Sequence, residues 1–307
     1  MTTQWITVDT VDVRYDIQRS SKAKARIIIL PGLTEFIEKH QDQIDGFKDM
    51  GGKGRMETIC IDWPGQGLSS RMANDHPTVI HIPSFDFHLK AIKAVVDDAG
   101  FGDDKPLFIF GHSMGAHLGL RLAHELKAER GWDIRGVMIS SPMIMIPVVL
   151  RGITLMLLNG ICRLGFAKTG IPGQQGFSRP RAQFNPMNVL TRDADGYMVQ
   201  HRLFEKNPKL RTRGPSFGWV RSALASCMAT TTNSAWLKAY DIPVQAHLAE
   251  NEMVVHRFAS EPALKQIKGV DIHIYDNARH ELMLELPEVR AAIWQRMADF
   301  INNRMKT

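Results

Sequence analysis

Four short apolar runs set the strongest limit on how this chain folds: residues 27–30 (IIIL), 59–61 (ICI), 107–110 (LFIF) and 137–139 (VMI). Each is continuously hydrophobic rather than alternating, as strands are when helices cover both faces of a parallel sheet. Stretches 35–48, 84–98 and 114–127 read as the intervening helices. Ahead of them, Ile6 and Val8, then Val11, Val13, Tyr15 and Ile17, alternate as an antiparallel hairpin does. Strand and helix in this alternation predict an α/β chain with a mostly parallel, doubly wound sheet.

After Ser141-Pro142 the rhythm stops. Residues 143–240 have helical and loop character with no strand run. The alternation resumes after Ile242-Pro243, with a strand at 244–248, a helix near 261–267 and a strand at 271–275. A last helix follows Pro287 and carries Val289, Ile293, Met297, Phe300 and Ile301 on one face. The expected organisation is a core of residues 1–142 and 241–307 with a helical cap inserted at 143–240. Charge divides the same way. The chain is +6 overall, but residues 143–240 hold 13 lysines and arginines against Asp193, Asp195 and Glu205, a net +10 that leaves −4 for the rest.

Composition excludes several classes. A 44 % hydrophobic chain without low-complexity tracts is globular. The N-terminal MTTQWITVDTVDVRYD has no charged start followed by an apolar core, so no secretory signal is expected. No stretch reaches about 18 residues without Asp, Glu, Lys or Arg, so no spanning helix is expected. Cys60, Cys162 and Cys227 fall in no paired motif and predict buried free thiols in a reducing, cytoplasmic setting. There is no His-Glu-x-x-His, and "DWPGQGLSSR" (62–71) has neither the Gly-x-Gly-x-x-Gly nor the Walker spacing. We therefore expect no metal and no nucleotide cofactor, and read that segment as a turn bordering a site. The basic insertion lacks interleaved aromatics of the nucleic-acid kind and is spread through an apolar, Met-rich region, which argues against nucleic acid as a partner.

The chemistry centres on "IFGHSMGAHLGLR" (109–121). A Gly-x-Ser-x-Gly stretch alone is weak and suits a helix-capping serine equally well. Here it leaves a buried strand and opens a helix with Leu118, Leu122 and Leu126 at four-residue spacing, a context that favours Ser113 as an exposed nucleophile on a sharp turn. Gly111 and Gly115 fit because side chains there would collide. A nucleophilic hydroxyl needs a base, and the base an orienting carboxylate. His280, in "DNARHELMLELP" just after the last strand, is the candidate base. His112 and His117 are expected to face away, and His247 lies within a strand. The acid should follow the strand at 244–248, where "HLAENEMVVH" offers Glu250 and Glu252. Glu252 lies further out in the loop, and Asp276 is the fallback. Oxyanion donors should be the backbone N–H of Met114, directly after the nucleophile, and that of Leu33 in "LPGLTEF".

These motifs resemble the α/β-hydrolases of the lysophospholipase and monoacylglycerol lipase branch, also called serine-aminopeptidase-like. The resemblance covers almost the whole chain through "LPGLTEFIEKH", "DWPGQGLSSR", "GHSMGAH", "SSPM", "GPSFGW" and "ARHELMLE", and the last three are closer to bacterial lysophospholipases than to the superfamily at large. It implies Ser113 as nucleophile, His280 as base and Leu33 and Met114 as oxyanion donors. At the acid position, where the family usually has Asp, this chain has Glu252. Pro31 and Pro64 depart from a common histidine and a common arginine. The resemblance also makes the insertion a cap over the site. Its apolar "MIMIPVVLRGITLMLLNGICRLGF" (143–166) is then either cap core or a surface that meets lipid. Its charge suits an anionic membrane or a phosphate headgroup, with Arg211 and Arg213 as candidate contacts.

The expected activity is hydrolysis of the acyl ester of a lysolipid through an acyl-enzyme in the cytoplasm, with peripheral contact at the anionic inner membrane face as a further alternative. Rivals on the same residues are monoacylglycerol lipase, carboxylesterase, thioesterase or aminopeptidase chemistry, and a non-catalytic ligand receptor. An aminopeptidase should offer acids to hold a free amine, and the insertion has three acids in all.

Overall fold

A computed structural model describes residues 2–73, 76–174 and 182–306. Strands β1 (Thr3–Val8) and β2 (Val11–Gln18) form the antiparallel hairpin. β3 (Ala25–Leu30), β4 (Met56–Ile61), the two-residue β5 (Val79–Ile80), β6 (Leu107–His112) and β7 (Ile134–Ser140) follow, and after the two-residue β8 (Gly214–Pro215) come β9 (Val244–Ala249) and β10 (Asp271–Tyr275). The eight longer strands make one sheet in the order β1-β2-β4-β3-β6-β7-β9-β10, parallel from β4 onward.

The continuous apolar runs divide between the two faces of that sheet. Ile28 and Leu30 of β3, Ile59 and Ile61 of β4 and Ile109 of β6 join the core under α2 (Phe85–Asp98) and α3 (Met114–Arg130). Ile27, Ile29, Cys60, Phe108 and Phe110 join the opposite core, against α1 (Gln41–Asp49) and α9 (Pro287–Arg304). The period-two pleat thus needs hydrophobic side chains at every position. Ser84 caps α2 by accepting from the Phe87 N–H.

The first helix is shorter than the sequence suggests. Gly32 and Glu35 form a side-chain contact, Thr34 has φ 68° and Phe36 is extended, so only a 3-10 turn at Ile37–His40 leads into α1. Local hydrogen bonding of the loop competes with the helix there. Between β7 and β9 lie α4 (Arg151–Arg163), α5 (Ala194–Lys206), α6 (Phe217–Ala229) and α7 (Ser234–Ala239). This segment does contain a strand, the short β8, which pairs with β5 and ties the segment to the chain ahead of α2. Residues 175–181, with Arg179 and Arg181, lie outside the described residues. α8 (Arg257–Leu264) begins earlier than the periodicity implies. Cys60 and Cys227 are buried, Cys162 is half-buried, and all three are free. Among the described residues no helix is long and apolar enough to cross a membrane.

Candidate active site

Ser113 sits where β6 ends and α3 begins, with φ 52° and ψ −114° and no side-chain cap on the helix. It is therefore not a capping serine. This strained turn is held by close backbone packing: a Cβ on Gly111 would lie 2.4 Å from the Gly115 carbonyl oxygen, and one on Gly115 would lie 1.9 Å from that of Leu30. Only glycine lets helix and sheet approach so closely. As the first residue of α3, Met114 has an N–H with no intrahelical acceptor.

His280 and Glu252 follow neighbouring parallel strands, β10 and β9, and meet at the sheet's edge. His280 Nδ1 lies 2.7 Å from Glu252 Oε2, while Glu252 Oε1 accepts the N–H groups of Val254 at 2.8 Å and Val255 at 3.2 Å. Burial pushes the Glu252 carboxyl up, but the hydrogen bond and charge of His280 and the two backbone donors outweigh it and hold it below the usual range. Burial pushes His280 down, and the bond and charge of Glu252, joined by the charges of Glu281 and Glu35, outweigh that and raise it. Glu250 instead accepts the Asn277 N–H at 2.7 Å, and Asp276 is exposed in the turn after β10.

A cavity of about 800 Å³ opens over these groups, lined by Leu33, Ser113, Met114 and His280 among others. Its remaining wall is largely apolar, with Met143, Ile146, Val148, Leu190, Phe204 and Trp219 all coming from the segment between β7 and β9. Arg213 also lines it; Arg211 does not, and its Nε donates to the Phe204 carbonyl at 3.0 Å. Among the described residues, the acids in the lining are Glu35 and Glu281.

The "DWPGQGLSSR" segment braces the loop after β3. Gln66 Nε2 donates to the carbonyls of Gly32 at 2.7 Å and Glu35 at 3.0 Å, and Trp63 Nε1 to that of Pro31 at 2.8 Å. Asp62, pushed up to about 6 by burial, accepts from the Ile37 and Leu68 N–H groups and from Arg14.

One expectation fails. His112 does not face away: it lines the cavity, and its ring centroid is 4.9 Å from that of His280. Strand parity puts it on the face of Phe108 and Phe110, and at the end of β6 the loops that carry Glu35 and Glu281 pack against it. His117 does face away, bonded to Ser226 at 2.6 Å and Thr231 at 3.1 Å, and His247 is bonded to the Tyr275 hydroxyl at 2.7 Å. Sequence reasoning also missed Lys39, whose buried ammonium lies between Glu35 and Glu281; the i, i+4 spacing of Glu35 and Lys39 was its one local signal.

Residues 21–287 match the serine aminopeptidase, S33 family. The chain is 25 % identical to lysophospholipase L2 of Escherichia coli over 312 residues, covering 96 % of this chain and 85 % of that protein. Its fold is similar to a soluble variant of monoglyceride lipase from Saccharomyces cerevisiae solved with a substrate analogue, with TM-score 0.71, 16 % identity and 98 % and 96 % of the two chains covered. It is also similar to a thermostable carboxyl esterase from Bacillus coagulans solved with glycerol, with TM-score 0.73, 17 % identity and 99 % of both chains covered. The architecture is that of the α/β-hydrolases.

Proposed function

The chain belongs to the serine aminopeptidase, S33 family and is a carboxylic ester hydrolase, and on that premise we propose that it cleaves the single acyl ester of a lysophospholipid through an acyl-enzyme. Ser113 Oγ attacks the ester carbonyl while His280 takes its proton. The N–H groups of Leu33 and Met114 hold the oxyanion that develops. Glu252 fixes the imidazole tautomer and stabilises the imidazolium. His280 then passes the proton to the leaving glycerol oxygen. Water, activated by the same imidazole, attacks the acyl-Ser113 carbonyl and releases the fatty acid and the free hydroxyl.

The observation that carries this reading is that His280, held by Glu252 at 2.7 Å, opens with Ser113 onto one largely apolar cavity. We read residues 143–240 as a cap whose apolar wall receives the acyl chain. The lining favours an anionic over a cationic headgroup: Arg213 is at the wall, whereas Glu35 and Glu281 are both ion-paired to Lys39. That argues against an aminopeptidase, which needs a free carboxylate for the substrate's amine.

The same cap supports a peripheral contact with an anionic membrane. In α4 Leu158 alone is buried, while Ile153, Met156 and Leu157 are exposed, as are Val149 and Leu150 just before it. Arg151 and Arg163 bound that helix. An exposed apolar face flanked by cations suits a lipid–water boundary. Free thiols suit the cytoplasmic side.

The test is hydrolysis of a panel of lysophospholipids, monoacylglycerols, diacyl lipids and aminoacyl amides by purified protein, with fluorophosphonate labelling mapped by mass spectrometry. Labelling at Ser113 with preference for lysophospholipids is expected. Preference for monoacylglycerols would move the substrate, and an unlabelled Ser113 would point to the non-catalytic receptor.

A further inference from the structure

We infer that Lys39 is a positioning residue for hydrolysis: its buried ammonium ties the loop of the oxyanion donor Leu33 to the loop of the base His280 and balances the charge beside that base. The inference rests on the roles proposed above for Leu33 and His280.

A lysine is almost never fully buried unless paired, and the Lys39 side chain is only 3 % exposed. It is paired twice, to Glu35 Oε1 at 2.6 Å and to Glu281 Oε1 at 2.8 Å, the second contact spanning 242 residues of sequence. Each carboxylate has a second attachment inside the site. The other oxygen of Glu35 accepts the N–H of Gly32, the residue before Leu33, and lies 3.0 Å from His40 Nε2. Glu281 follows His280 directly, and its other oxygen lies 3.6 Å from His112 Nε2, beside Ser113. One ammonium is therefore linked by single side chains to the oxyanion loop, the base's loop and the neighbour of the nucleophile.

Packing alone would be met by an apolar side chain of similar length. What Lys39 adds is charge. Glu35, His112 and Glu281 bring ligand-type atoms within 4.8 Å of one another, a cluster suited to a cation, and the Lys39 ammonium supplies one to both carboxylates. Burial pushes the Glu35 carboxyl up, yet the charges of Lys39, His40 and His112 hold it well below the usual range. The groups facing His280 are Glu252 from the loop after β9, Glu281 on its own loop, Glu35 from the loop after β3, His112 on β6 and, across the cavity, His201 on α5. With Lys39 present, Glu35 and Glu281 together leave one uncompensated negative charge near the base. Loss of Lys39 leaves two, and loss of the Glu281 charge leaves none.

The experiment compares Lys39→Met, Lys39→Arg, Glu281→Gln and the double variant Lys39→Met/Glu281→Gln. It reads the His280 ring titration by NMR and, on p-nitrophenyl butyrate, kcat, KM and the acid limb of kcat/KM. Glu281→Gln should lower the His280 midpoint by about one unit and Lys39→Met should raise it, as one nearby charge does. The double variant should return close to the wild-type midpoint, and Lys39→Arg should keep it. Lys39→Met should also lower kcat roughly tenfold or more, with KM moving little, because misplaced donors act in the transition state. If Lys39→Met does not fold, Glu281→Gln and the double variant still decide. A Glu281→Gln midpoint equal to that of the wild type, or a double-variant midpoint no higher than that of Glu281→Gln, would overturn the inference. The NMR titration needs no turnover, so absence of esterase activity in the wild type would sink the catalytic reading separately.

Discussion

Glu252 and His280 are 28 residues apart in sequence and 2.7 Å apart in space. The parallel register of β9 and β10 brings them together, since Ala249 pairs with Tyr275 and both loops leave the sheet at the same edge. The Glu250 N–H donates to the Tyr275 carbonyl at 3.1 Å and that of Asn251 to Ala278 at 2.9 Å, which locks one loop to the other. The glutamate's extra methylene is taken up because Oε1 turns back onto the Val254 and Val255 N–H groups, leaving Oε2 for the imidazole.

That geometry supports Glu252, proposed above, as the acid. Glu252→Gln keeps the volume but removes the charge that stabilises the imidazolium. We expect a fall of about a thousandfold or more in kcat, as for triad carboxylates elsewhere. Asp276→Asn, at an exposed turn position, should cost less than about threefold by the same reasoning. The reverse ranking in steady-state assays would transfer the role to Asp276.

Ser113→Ala should lower esterase turnover by roughly four to six powers of ten, because the triad members act as a unit. Its circular dichroism and melting temperature should stay near wild type, as the elbow is held by Gly111 and Gly115 rather than by the hydroxyl. Activity within tenfold of wild type, in a preparation free of other esterases, would end the serine-hydrolase mechanism.

The pH dependence carries its own sign. His280 acts as base only when neutral, and Glu252 raises its pKa in the folded protein against the lowering effect of burial. The acid limb of kcat/KM should therefore have its midpoint above the ordinary imidazole value of about 6.5. In Glu252→Gln the raising partner is gone and burial remains, so the residual activity should show a limb shifted to lower pH. A midpoint in the wild type below that of free imidazole would contradict the assignment of His280 as the paired base.

The sheet and the turn that carries Ser113 were legible because their signals are local. A strand buried on both faces needs an apolar residue at each step, and the elbow needs Gly111, Ser113 and Gly115 within five residues. The orientation of His112 was not legible, since it depends on which loops pack over the end of β6. Nor was the Lys39–Glu281 pair, which joins two loops that only the finished sheet brings together. The basic insertion showed its charge but not which arginine reaches the cavity: the extended chain around β8 sends Arg213 to the wall and leaves Arg211 on the Phe204 carbonyl.

The close packing at the elbow predicts a stability contrast between two glycines. A Cβ at Gly115 would overlap the Leu30 and Pro31 backbones, which cannot yield without moving β3. Gly115→Ala should destabilise by about 2–3 kcal/mol or more, in the range of overpacked cores. A Cβ at Gly152, in the first turn of α4, would meet nothing within 4 Å. Gly152→Ala should be neutral or stabilise by up to about 1 kcal/mol through helix propensity. Denaturant melts of the two variants decide, and equal effects would remove the packing account of the elbow.

The last prediction separates two roles of cap charge. Arg213 reaches the cavity, so Arg213→Gln should lower kcat/KM on lysophosphatidylglycerol by about tenfold, the size of one lost charged hydrogen bond, and barely affect monoacylglycerol. Arg211→Gln should leave this headgroup preference unchanged. Membrane contact is a separate matter and rests on the summed charge around the exposed face of α4. Each cation near an anionic surface contributes on the order of 1 kcal/mol. Binding to phosphatidylglycerol vesicles should therefore weaken roughly tenfold to a hundredfold between about 50 mM and about 500 mM salt, as the screening length falls from roughly 14 Å to roughly 4 Å. Hydrolysis of a short soluble ester should barely respond, because Ser113 and His280 open onto a cavity walled largely by residues between β7 and β9. If vesicle binding ignores salt, the cap's cations act only on the soluble substrate. If Arg213→Gln lowers both lipid substrates alike, it lines the acyl path rather than the headgroup site.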